Sequence, residues 1–190
     1  MRSDDLYSVP AGLPVPTDDG ACDHLRGMAV PPIALPSTRG RFVHLDQVAT
    51  PWVVVYAYPR TGVPDVDSPP GWDAIPGARG CTPQSCAYRD HEAELRTLGA
   101  TVFGLSTQTS EYQQEMATRL HLPFEVLSDA ELKLTHALRL PTFPYGDWTL
   151  LKRHTLLIAN GRIEEVFYPV FPPDADADNV LHWLRQRTGR

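Results

Sequence analysis

The sequence is poor in cysteine: three in 190 residues, no two of them spaced as CxxC. That argues against a thioredoxin-type dithiol pair. Because the first residues carry no apolar leader, three thiols suggest a reducing, cytoplasmic setting rather than a disulfide framework. Long apolar runs are also missing. The longest, residues 52–58, is strand-sized, well short of the ~20 residues that cross a bilayer, so no membrane role is expected. Basic residues are not clustered: 17 Lys and Arg stand against 23 Asp and Glu, for a net charge of −6 and a pI near 5.6, which argues against nucleic acid as a partner. There is no internal repeat. What remains is a chain that is 42% hydrophobic, enough for one domain with its own core, and unusually rich in proline, with 19.

The prolines fall mainly in residues 1–36, 59–76 and 169–173, which marks those segments as irregular. Residues 1–30 therefore read as an irregular arm ahead of a domain spanning 31–190. "IALPSTRGRFVHL" predicts a short hairpin, and the β-branched run "PWVVVYAYP" a strand buried on both faces. Residues 60–79 form a long loop. Thr82 and Pro83 suggest a cap and a first helical residue, followed by Tyr88, Leu95 and Leu98 at helical spacing up to Gly99. A buried strand ("ATVFGLST") and a helix over 110–121 come next, with Tyr112, Met116 and Leu120 on one stripe. "FEVLSD" is a short strand, "AELKLTHALRL" a short helix, and "RHTLLIANGRIEEVFYPV" a hairpin turning at Asn160-Gly161. A helix over 176–187 carries Val180, Leu181 and Leu184. The alternation implies an α/β, thioredoxin-like fold: a mixed central sheet flanked by helices, with an N-terminal hairpin extension and an antiparallel edge from the last hairpin.

Chemistry concentrates in "GARGCTPQSCAYRD". Cys81 follows a buried strand and sits at a helix start, where unpaired N–H groups and the positive end of the macrodipole favour an anion. Its thiol is expected to ionise more readily than an ordinary cysteine, with Arg79 nearby to help. Cys86 lies five residues on; in a helix the two α-carbons would be roughly 8–9 Å apart, beyond the ~4.4–6.8 Å of a disulfide. They can join only if the first turns unwind, which a helix end after a long loop can do. The pattern predicts a two-step site: one thiolate is oxidised, and the second captures the resulting sulfenic acid after a local rearrangement. Duller readings exist. Cys86 also suits a small buried apolar position, and a zinc site from Cys22, Cys81, Cys86 and His91 matches no standard spacing. Cys22 reads as a spectator.

"GCTPQSCAYRD" resembles the active-site segment of the Q-type peroxiredoxins, the bacterioferritin-comigratory proteins, through Gly80, Cys81, Thr82, Cys86, Tyr88, Arg89 and Asp90. The likeness runs from about Pro32 to Arg187 and takes in Tyr58-Pro59, "LPFEVLSD" and "KRHTLLIANGRI". It implies a thioredoxin-fold thiol peroxidase acting on hydrogen peroxide or alkyl hydroperoxides, reset by thioredoxin or a similar dithiol protein. Metal, haem and flavin would not be needed. By the same resemblance Cys81 is the peroxidatic nucleophile, Cys86 the resolving thiol, and Arg153 the distant active-site arginine; an intrachain pair favours a monomer. Arg89 is expected to pair with an acid. The rivals are a disulfide oxidoreductase without peroxide specificity and a redox sensor without turnover. Pro59 stands 22 positions before Cys81 instead of the family's seven, an insertion of 15 residues. Ala78 occupies the place of the family threonine, so Thr61 is assigned that hydroxyl's role. Trp72 and Ile75 in the insertion either cap the pocket, present a surface to a partner or simply pin the loop.

Overall fold

Strand geometry decides the layers. In the computed structural model, which describes residues 7–189, the hairpin β1 (Ala34–Pro36) and β2 (Phe42–His44) precedes β3 (Trp52–Ala57). Val53, Val55 and Ala57 point to one face of the sheet and Val54 and Tyr56 to the other, as a pleated strand buried on both sides requires. Then come α1 (Cys81–Thr97), β4 (Ala100–Ser106), α2 (Ser110–Arg119), β5 (Glu125–Ser128) and α3 (Lys133–Leu138). The chain closes with β6 (Thr142–Tyr145), β7 (Trp148–Leu151), β8 (His154–Ala159), β9 (Arg162–Phe167) and α4 (Asp176–Thr188).

The five-stranded sheet runs β5-β4-β3-β8-β9, parallel through β5, β4 and β3 and antiparallel from β3 to β8 and β9. Asn160 and Gly161, at φ 49° and 70°, make the tight turn between β8 and β9. The last hairpin therefore places β9 at the edge and β8 inside, against β3. Residues of α1, α2 and α4 pack on one face with Val54, Tyr56 and Leu157; Leu134 and Leu138 of α3 pack on the other with the β1–β2 hairpin. Leu95 and Leu184 are fully buried, and replacing either by alanine is expected to cost about 2–5 kcal/mol.

Three expectations are revised. The described part of the 1–30 arm is irregular, but it belongs to the core: Leu25 is fully buried, and Gly27, Met28 and Val30 hydrogen-bond along the edge of β9. An open strand edge is thereby covered. The helix expected from Thr82 as cap and Pro83 as first residue begins two residues earlier. Gly80 is its cap, Cys81 its first residue, and Pro83 the third rather than the first. The backbone at Gly80 has φ +102°, and a β-carbon there would lie 2.3 Å from Pro173, so only glycine fits and it sets the helix start. The β6–β7 ribbon is an addition. Its run "TFPYGDWTL" contains Pro144 and is mostly exposed, so it lacked the alternation that marks a half-buried strand. No described helix is long and apolar enough to cross a membrane.

Candidate active site

Sheet register brings the site together. Ala57, the last residue of β3, pairs with His154, the first of β8, so Arg153 arrives where β3 ends and α1 begins, 72 residues from Cys81 in sequence. Cys81, Thr82, Gln84 and Ser85 are all buried, and so is Arg153. The guanidinium Nη2 donates to Cys81 Sγ at 3.2 Å and to the carbonyls of Ala78 and Arg79, each at 3.2 Å. Nε donates to Gly77 O at 3.3 Å, and Nη1 donates to Gln84 Oε1 in a very short bond. Arg153 thus clamps the end of the insertion to the first turn of α1.

A buried cation is costly unless an opposite charge answers it. Among the described residues no carboxylate lies within ion-pair distance of Arg153; the nearest anion-forming group its guanidinium touches is the sulfur. A thiol there donates to Ala78 O at 3.6 Å. The N–H groups of Cys81 and Thr82 open the helix and have no intrahelical acceptor. Cation and helix start therefore act on the same atom. His154, the next residue after Arg153, adds no charge at neutral pH, because burial lowers its pKa to about 4.

Gln84 and Asp176 had not been singled out. Gln84 Nε2 donates to Asp176 Oδ2 at 2.8 Å, which turns the amide oxygen toward Arg153. Tyr88 and Thr155 donate to the same carboxylate oxygen at 2.9 and 2.7 Å. Burial pushes the Asp176 carboxyl up, against these three bonds. The available signal was Gln84 three residues after Cys81, on the same helical face; Asp176 looked like an ordinary acid in the first turn of a helix.

The other expected residues fall as follows. Thr61 is buried and lines the same cavity as Cys81, but its hydroxyl donates to Gln108 Oε1 at 3.2 Å. The lone pairs of that hydroxyl remain for an incoming donor. Cys86 is half-buried on α1, and its thiol is free; burial raises its pKa, with Arg89 pulling the other way. Arg89 pairs with Asp90 at 2.8 Å. Arg79 turns away from the sulfur to Asp73 at 2.8 Å, so the cation that reaches Cys81 is Arg153. Cys22 belongs to the core cluster on the opposite face of the sheet from Cys81, which breaks up the suggested zinc set. Among the described residues no cluster of three or more metal-ligating side chains occurs.

A thioredoxin-like mixed sheet that carries an arginine-bound thiol on the first residue of a helix fits a thiol peroxidase. Comparison with known proteins agrees. The model of the redoxin family matches residues 25–181. The chloroplastic peroxiredoxin Q of Sedum lineare is 32% identical over 161 residues, covering 84% of this chain and 77% of that protein. Peroxiredoxin Bcp of Escherichia coli K12 is 30% identical over 164 residues, covering 84% and 95%. The crystal structure of peroxidoxin BcpB from Mycobacterium tuberculosis superimposes with a TM-score of 0.71 at 25% identity, covering 86% of this chain and 98% of that one. The chain belongs to the redoxin family, as a peroxiredoxin of the Q and Bcp kind.

Proposed function

We propose that Cys81 is the peroxidatic nucleophile and Cys86 its resolving partner, with Arg153 and Thr61 completing the site. The guanidinium 3.2 Å from Sγ carries this reading. The Cys81 thiolate attacks one peroxide oxygen. An S–O bond forms, the O–O bond breaks, and the leaving oxygen takes a proton to depart as water or alcohol. Arg153 stabilises the charge passing from sulfur to the leaving oxygen, in a buried site where a fixed cation acts most strongly. Thr61 accepts a hydrogen bond from the peroxide O–H and orients it.

Cys81 is now a sulfenic acid. Both cysteines lie in α1, so the first turn must open before they meet. The Cys86 thiolate then attacks the oxidised sulfur; an S–S bond forms and the oxygen leaves as water. Thiol–disulfide exchange with thioredoxin or a similar dithiol restores both thiols and leaves the reductant as a disulfide. Because the resolving thiol is in the same chain, a monomer suffices, and a reducing compartment such as the cytoplasm supplies the dithiol.

Intact mass after one equivalent of peroxide, followed by peptide mapping, tests the assignment. A Cys81–Cys86 bridge is expected, and Cys86→Ser should halt at a sulfenic acid on Cys81. A Cys22–Cys81 bridge would assign resolution elsewhere. Thr61 loses its role if Thr61→Val keeps the full rate constant for peroxide.

A further inference from the structure

The segment between Thr61 and Ala78 is rich in proline and holds no regular strand or helix beyond one short turn at Trp72–Ala74. It is nonetheless tied down along its length. The Trp72 side chain is 5% exposed. It lies edge-on to Tyr145 at 5.4 Å and packs with Leu150 on the β6–β7 ribbon. Tyr145 donates its hydroxyl to Pro70 O at 2.6 Å. Asp73 accepts from Arg79 at 2.8 and 3.0 Å, and Arg119 donates to Gly62 O at 3.3 Å. Proline keeps the free loop stiff, and these contacts hold it in place.

What it is held against is the sulfur. Val63, Val66, Ser68, Pro69 and Trp72 form one side of the cavity that contains Thr61 and Cys81, and that cavity measures about 50 Å³. One water needs ~10–15 Å³ of such space, so the part of this cleft beside the sulfur is snug, with room for a few heavy atoms before it opens to solvent. A hollow of about 440 Å³ lies beyond Arg60 and Tyr112, which line both cavities and divide them. Arg60 is fixed in that wall, 4.3 Å from the Trp148 ring centre and 3.2 Å from the Tyr112 hydroxyl. The insertion and Arg60 are therefore the residues that a bulky organic group on the peroxide would have to pass beside the sulfur.

We propose that the insertion is a size filter that confines the Cys81 site to hydrogen peroxide and the smallest hydroperoxides, with Trp72 the wall that sets the limit. The inference rests on Cys81 as the peroxidatic sulfur. The chemical step is the one already written; the filter acts only on which peroxide reaches the sulfur. In a close-fitting pocket each surplus methylene costs ~10–200-fold in rate.

Single-turnover oxidation of Cys81 tests it, with hydrogen peroxide and cumene hydroperoxide as probes and no reductant present. The wild-type protein should oxidise at least ~100-fold faster with hydrogen peroxide. Trp72→Ala should shrink that ratio about tenfold or more, through a faster reaction with cumene hydroperoxide. Asp73→Ala, at a position 52% exposed and outside the ring cluster, removes only the Arg79 tie and should shift the ratio the same way. It keeps the test valid where Trp72→Ala loosens the ribbon. Equal rates for the two peroxides in the wild type, or a ratio that neither variant moves, overturn the filter. A gain confined to Arg60→Ala also overturns it, by placing the limit in the other wall. A wild-type protein slow toward both probes removes the Cys81 assignment itself, and peptide mapping of the oxidised site separates that failure from failure of the filter.

Discussion

Cys22 and Cys81 are buried almost equally, 6% and 4% exposed, on opposite faces of one sheet. Their surroundings differ in sign. Burial pushes the Cys22 thiol up to about 12, and Asp18, Asp19 and Asp23 add to it. Cys81 has a helix start beneath it and a guanidinium at 3.2 Å. The two cations that serve these faces are neighbours in sequence. Lys152 is spent on Asp19 at 2.5 Å, and that bond, with one from Tyr168, holds the Asp19 carboxyl well below the usual carboxylate range. Arg153 has no such carboxylate partner and turns to the sulfur. Burial and nearby carboxylates keep the Cys22 thiol protonated; Cys81, buried to the same degree, meets a guanidinium instead.

Breaking the comparison outright should have the largest effect. Cys81→Ser is expected to abolish peroxide consumption, whereas Cys22→Ser leaves the rate constant intact; loss of rate in both would erase the distinction. Next come the cations. Arg153→Gln should slow single-turnover oxidation by about 10²–10³-fold, the scale of losing a preorganised charge at a reacting atom, while Lys152→Gln changes it within a few-fold. Equal losses from the two would show that general positive potential, not contact, drives the reaction. The smallest effect sharpens the contrast. At pH 9, iodoacetamide should label Cys86 in the native protein and leave Cys22 unmodified, because the Cys22 thiol stays protonated well above that pH. Cys22→Ala should cost about 1–2 kcal/mol in urea unfolding without touching the oxidation rate.

Several elements were legible because local pattern and final environment agree. The β-branched run of β3, the Asn-Gly turn before β9, and Leu95 on α1 all need only period and turn chemistry to be read. The helix start was read two residues late. Thr-Pro is a good local cap signal, but the helix is capped by Gly80, whose left-handed backbone and close approach to Pro173, far along the chain, admit only glycine and leave Cys81 as the first residue. Arg79 was credited with a role near the sulfur on sequence proximity; its side chain instead reaches Asp73. The link from Asp176 through Gln84 to Arg153 joins three segments and left almost no local trace.

The amino-acid sequence by itself determined the order of the strands and helices other than the β6–β7 ribbon, the two thiols on one helix and the kind of chemistry they suit, since those depend on residue type and on spacing within a few turns. Tertiary structure alone decided which arginine meets the sulfur, which thiol lies across the sheet from it, and how small a space the insertion leaves above it. Each of those follows from strand register and from contacts between segments tens of residues apart, and side chains that distant are ordered only when the whole sheet forms.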